Sequence, residues 1–186
     1  MGAPAVMLRL LTILLLIVSV ACAPEHEVDG DDRELYAHCP DNAVLMMGQS
    51  NAVRFDRACD VAVYAMGATV IAEWLPGGAL YEGALQCAGT SLETVIWFQG
   101  ESDAMPRYNA NGYAENLETL LMALEEDLGV RMILVHTITG YSADQIIHDA
   151  KEATGEQTIE TFDLERGDGI HLTLEAQIEL CERMGG

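Results

Sequence analysis

Three short segments of this 186-residue chain hold residue types that can do acyl chemistry together. Gly48-Gln49-Ser50-Asn51 follows the apolar run Ala43-Val44-Leu45-Met46-Met47. A short strand that ends in a Gly-started turn can present one serine hydroxyl on a rigid sheet edge. Gln99-Gly100-Glu101 follows a second apolar run, and Asp168-Gly169-Ile170-His171 lies near the C-terminus. In chain order they offer a nucleophile, polar hydrogen-bond donors and a carboxylate–histidine pair, which is a hydrolase in outline. Singly, each has a plainer reading: Ser50 and Asn51 are good helix N-caps, and Asp168-Gly169 is an ordinary turn pair.

The elements that must position these residues alternate along the chain. Short, mostly apolar or β-branched runs at Ala43–Met47, Val61–Met66, Thr94–Phe98, Arg131–Thr137 and Thr158–Asp163 read as strands covered on both faces. Between the third and fourth runs, Leu117, Leu120, Leu121, Leu124 and Leu128 fall on one face of a helix over Tyr113–Leu128, closed by Gly129. A second helix is expected from Ser142, with Ser142 and Gln145 as a capping box, to about Ala153. A third runs from near Thr173 to before Gly185, and a weaker one covers Leu80–Ala88. This alternation predicts an α/β fold, a three-layer, doubly wound, parallel five-stranded sheet. In such sheets sites form beyond the carboxyl ends of the strands. Ser50, Gly67, Gln99, and Asp168 with His171 each follow a different predicted strand, so four separated segments converge on one edge.

Gly48-Gln49-Ser50-Asn51, Trp97-Phe98-Gln99-Gly100-Glu101-Ser102-Asp103 and Asp168-Gly169-Ile170-His171-Leu172-Thr173 resemble the blocks of the SGNH hydrolase superfamily. The likeness is to its sialate O-acetylesterase and acetylxylan esterase branch, similar to carbohydrate esterase family six. Gly67-Ala68-Thr69-Val70-Ile71-Ala72-Glu73-Trp74 resembles that branch's second block, and the likeness spans about residues 43 to 180. It implies Ser50 as nucleophile, His171 as general base and Asp168 as the carboxylate that fixes the imidazole's tautomer. It further implies oxyanion donors from the Ser50 N–H, the Gly67 N–H and the Gln99 side-chain amide, with Gly77 or Gly78 as substitutes for Gly67. Asn51 and Glu101 are expected to support the site, Glu101 and Asp103 through loop-stabilising hydrogen bonds. Trp74 and Trp97 could touch substrate or pack in the core or at the rim. The expected reaction is removal of acetyl groups from carbohydrate through an acyl-enzyme, with no metal and no cofactor. A lysophospholipase or thioesterase, or an inactive carbohydrate-binding surface lipoprotein, are the alternatives. His136, at the end of the fourth strand, lacks a nearby carboxylate in sequence and is a poorer base than His171; His148 is expected in solvent.

The first 21 residues form a separate unit. Leu10 to Val20 is almost wholly apolar and too short to span a bilayer, so residues 1–21 read as a signal peptide. Ser19 and Ala21 suit an ordinary signal peptidase, whereas Ser19-Val20-Ala21-Cys22 also resembles a lipobox that would leave Cys22 lipidated. Residues 22–40 then form an acidic tether carrying His26 and His38, and 41–186 the esterase domain. The expected location is exported, either membrane-anchored through Cys22 or secreted. A formal net charge of −21 with a single lysine, Lys151, makes nucleic acid and anionic membrane surfaces unlikely partners. It suits a salty medium or simple solubility. Cys39, Cys59, Cys87 and Cys181 allow three disulfide pairings, with buried thiols as the alternative.

Overall fold

The computed structural model describes residues 33–53 and 55–185. The expected leader, Cys22 and His26 lie outside the described residues. Among the described residues six strands form one sheet: β1 (Leu35–His38), β2 (Val44–Gly48), β3 (Ala62–Met66), β4 (Thr94–Phe98), β5 (Arg131–Val135) and β6 (Gln157–Ile159), in the order β1-β3-β2-β4-β5-β6. The helices are α1 (Ala79–Cys87), α2 (Glu101–Ala104), α3 (Tyr113–Leu128), α4 (Asp144–Ala153) and α5 (Leu174–Arg183).

Strands β2 to β6 are parallel, as expected, and the alternation along them sorts side chains between two cores. Leu45, Met47, Tyr64, Val95, Trp97 and Leu134 join one core with Trp74, Leu117, Leu120 and Leu124. Met46, Val63, Ile96, Phe98, Ile133 and Val135 join the other with Phe55, Leu172 and Leu180. All five residues of β4 are buried, because both faces of that central strand are covered. Full burial of each such aliphatic side chain contributes about 1.5–3 kcal/mol before the entropy of ordering it. α3 has the predicted bounds, and Gly129 ends it in the left-handed region, its N–H donating to Glu125 O at 2.9 Å. Trp74 and Trp97 are fully buried and meet edge to face at 5.4 Å, which makes them core residues rather than substrate contacts.

Three expectations change. The sheet has six strands: Leu35–His38, within the expected tether, pairs antiparallel with β3 (Tyr36 opposite Ala65), so the folded unit begins well before residue 41. Four residues flanked by charge carry too short a pattern to announce a strand. The Ser142–Gln145 capping box is absent. No side chain caps α4; the Asp144 carboxylate instead ties down the preceding turn, accepting from the N–H groups of Thr139 and Gly140 at 2.9 Å each and from Thr139 Oγ1 at 2.6 Å. β6 stops at Ile159, short of the expected Asp163.

Disulfides join Cys39 to Cys87 and Cys59 to Cys181. The first ties the end of β1 to α1, and the second ties the segment after β2 to α5 across 122 residues. Closing loops of this length in the unfolded chain is worth about 2–4 kcal/mol per bridge. Among the described residues no helix is long and apolar enough to cross a membrane.

Candidate active site

The turn after β2 needs its glycine. Gly48 has φ +147°, and a Cβ there would lie 2.0 Å from the carbonyl oxygen of Phe98 on the neighbouring strand. That close approach lets Gln49 N–H donate to Phe98 O at 3.2 Å and turns Ser50 out at the sheet edge. Among the described residues no α-helix follows before β3, so Ser50 and Asn51 do not cap one.

The segment after β6 brings the partners. The Arg166–Leu172 bridge and the Gly167 N–H to His171 O bond close a compact loop. Within it, Asp168 Oδ1 accepts from the N–H groups of Ile170 (3.0 Å) and His171 (2.7 Å), while Oδ2 lies 2.6 Å from His171 Nδ1. His171 Nε2 lies 2.8 Å from Ser50 Oγ. Partial burial pushes the Asp168 carboxyl up, but the three bonds outweigh it and hold the pKa down to about 2. The carboxylate therefore stays ionised and orients Nδ1–H toward itself, leaving Nε2 to accept from Ser50. The loop is locked to the serine turn by Asn51. Its Oδ1 accepts from Leu172 N–H (2.9 Å), and its Nδ2 donates to Ile170 O (3.2 Å) and to Glu101 Oε1 (2.6 Å).

Behind this group lies a buried polar cluster. Gln99, fully enclosed, donates from Nε2 to Thr69 O (3.1 Å), Gln49 Oε1 (3.2 Å) and Asp103 Oδ2. Asp103 also accepts from Ile71 N–H (3.1 Å), and burial pushes its pKa up to about 6. Burial likewise raises the Glu101 carboxyl, opposed by the Asn51 bond, its own N–H, and the charges of Lys151 and His171. Asn51, Glu101 and Asp103, the residues expected to support the site loop, are the ones that make these contacts.

The cleft beside Ser50 is small, about 60 Å³, and is lined by Gln49, Ser50, Ala68, Ser102, Met105 and His171 among others. Of the three expected oxyanion donors, Ser50 lines it and Gln99 and Gly67 do not. Gln99 is fully enclosed, with Nε2 already facing three acceptors, Thr69 O, Gln49 Oε1 and Asp103 Oδ2. Gly67 is buried, and its neighbour Ala68 takes the wall. Ala68 has φ +54°, a left-handed conformation that costs a non-glycine residue free energy and is found at functional sites. Its carbonyl accepts from Arg33 Nη2 at 3.2 Å, tying the segment before β1 to the site. Larger grooves of about 660 and 470 Å³ run between α3 and α4 and along the amino ends of β2, β4 and β5. Neither contains Ser50, Asp168 or His171.

His136 stands apart from the site. Its ring is buried, stacks on His148 at 4.5 Å and places Nδ1 2.9 Å from Glu160 Oε1. His148, expected in solvent, is instead half-buried with Nε2 2.6 Å from Thr137 O. His136, Glu152 and Glu160 bring ligand-type atoms within 4.8 Å of one another. The Lys151 ammonium acts on both His136 and Glu160.

A family model described as "Carbohydrate esterase, sialic acid-specific acetylesterase" matches residues 56–186. The chain is 30% identical over 196 residues to a probable carbohydrate esterase of Arabidopsis thaliana, At4g34215, covering 88% of this chain and 75% of that protein. The X-ray structure of that Arabidopsis protein superposes with a TM-score of 0.57 at 29% identity, over 64% of this chain and 55% of that one. Est24, a carbohydrate acetylesterase from Sinorhizobium meliloti, gives a TM-score of 0.56 at 15% identity over 76% of this chain and 95% of its own. At that identity the likeness is one of fold.

Proposed function

Because the chain belongs to the carbohydrate esterase family of sialic acid-specific acetylesterases, and is thereby a carboxylic-ester hydrolase, we propose that it removes O-acetyl groups from carbohydrate through an acetyl-Ser50 intermediate. The observation that carries this reading is the unbroken line from Ser50 Oγ to His171 Nε2 (2.8 Å) and from His171 Nδ1 to Asp168 Oδ2 (2.6 Å).

Ser50 Oγ attacks the acetyl carbonyl as His171 Nε2 takes its proton, and Asp168 stabilises the imidazolium. The oxyanion is received by backbone N–H groups of the cleft wall, with Ser50 and Ala68 as the candidate donors. As the tetrahedral intermediate collapses, the sugar oxygen leaves with the proton from His171. Water, deprotonated by His171, then attacks the acetyl-serine ester, releases acetate and returns the hydroxyl to Ser50.

A cleft of about 60 Å³ supports a two-carbon acyl group and disfavours the long acyl chain of a lysophospholipase or thioesterase. Two disulfides support an oxidising compartment, in keeping with export and with anchoring through Cys22. The test is acetate release from O-acetylated sialic acids, xylan and peptidoglycan by wild type and Ser50→Ala. Release from one of them by wild type and none by the variant is expected; equal release by both would refute the nucleophile.

A further inference from the structure

The one lysine of the chain, Lys151, is fully buried, although lysine is among the residues least often found so. It projects from α4, and Nζ donates to Gln99 O and Val135 O at 2.6 Å each. These carbonyls lie at the carboxyl ends of adjacent strands β4 and β5, so one ammonium joins both strand ends beneath the site.

Directly after Gln99 the chain turns through Gly100 at φ +135°. A Cβ there would come within 2.7 Å of Ile147 Cγ2, 3.2 Å of Thr137 Oγ1 and 3.6 Å of Lys151 Nζ. The turn is therefore packed against α4, and it aims Glu101 at Asn51. Glu101 Oε2 is buried with no hydrogen-bond partner among the described residues. Its ionised form rests on Asn51, its own N–H, and the charges of Lys151 and His171. Asn51 in turn bonds Ile170 O and Leu172 N–H, the two residues that flank His171.

We propose that Lys151 is a positioning residue of the esterase: it fixes the Gln99–Gly100–Glu101 turn, so that Glu101 and Asn51 hold His171 at Ser50. This rests on the esterase reading above. The groups that act on the ammonium are Glu101 and Asp103 from α2, Asp144 from α4, Glu160 beyond β6, and His136 beyond β5. Burial pulls the Lys151 pKa down to about 8, with Glu101 and Asp103 as the strongest opposing charges. Loss of its proton then falls in an accessible pH range.

The experiment measures kcat and KM for a small aryl acetate from pH 6 to 10 in wild type, Lys151→Met, Glu101→Gln and the double variant. Wild type is expected to lose kcat above about pH 8. Lys151→Met is expected to show kcat lowered about tenfold or more at pH 7, with KM changed far less and without that alkaline limb. The double variant is expected to be no worse than the more affected single, because both substitutions break one line of contacts. A limb near pH 8 that Lys151→Met retains, or losses that simply add, would overturn the proposal. If Lys151→Met does not fold, Glu101→Gln decides. Removing the carboxylate should move the wild-type limb to lower pH, and an unmoved limb overturns the role. Absence of wild-type activity, or activity that survives Ser50→Ala, refutes the esterase reading instead.

Discussion

Asn51 Nδ2 donates to Glu101 Oε1 across 2.6 Å, joining the turn after β2 to the turn after β4 although 50 residues separate them. Because Asn51 Oδ1 also holds Leu172 N–H, the residue beside the serine fixes where the histidine stands. Asn51→Ala is expected to lower kcat for an aryl acetate by roughly 10–100-fold with KM little changed, since a small displacement of a general base is costly. Unchanged kcat would show that Asp168 alone suffices to place His171.

Ser50 and His171 act as one unit if the proton path is as drawn. His171→Ala is expected to cost about as much as Ser50→Ala, and the double variant little more than either. Steady-state kinetics on one acetate ester decides this. Losses that multiply would mean that the two side chains work independently.

The pH dependence of stability tests the buried cluster. Burial pushes the Asp103 carboxyl up to about 6, against the bonds from Gln99 and Ile71. An unfolded aspartate titrates near ~3.9. Between about pH 4 and 6 the folded chain therefore keeps a proton that the unfolded chain releases. That stabilisation is present in full below about pH 4 and is lost as pH rises through 6. Urea unfolding should show Asp103→Asn gaining on wild type by roughly 2–3 kcal/mol over this interval, then levelling off. A constant difference between the two proteins would contradict a raised pKa.

Gly48→Ala probes the serine turn. The new Cβ would meet a backbone oxygen at 2.0 Å, and a strand carbonyl in the sheet centre cannot swing aside as a flexible side chain would. A loss of at least about 1–3 kcal/mol in stability is expected, with a fall in kcat because Ser50 moves with the turn. A melting temperature equal to that of wild type would show that the turn can relax.

Anchoring through Cys22 has its own readout. Mass spectrometry of the protein from its native membrane fraction should find a diacylglyceryl-modified N-terminal Cys22. An unmodified N-terminus at or near that residue would reject the anchor and leave a secreted enzyme.

The parallel strands, α3 and α5 were legible because each is a local pattern. β4 has the bounds its apolar run gave, and Thr173 caps α5 with its hydroxyl accepting from Ala176 N–H. β1 was not legible. Four residues among charges become a strand only because β3 offers an open edge. The Ser142–Gln145 pair forms no capping box: Gln145 Nε2 donates along the helix to Asp149 Oδ1, and the Asp144 carboxylate takes three donors of the preceding turn.

By itself the sequence determined which residues stand at the sheet edge. Strand periodicity, the Gly-started turn at Gly48 and the Asp-x-x-His spacing are all encoded within a few residues. Tertiary structure alone decided what those residues do to one another. It paired Cys39 with Cys87 and Cys59 with Cys181, sent the Gln99 amide into the interior and not toward the cleft, and put Ala68 on the cleft wall. It also brought Lys151 under the Gln99–Glu101 turn. The reason is physical. A buried hydrogen-bonding group is satisfied by whatever donor or acceptor the packing of distant segments delivers, and local pattern carries no record of that partner.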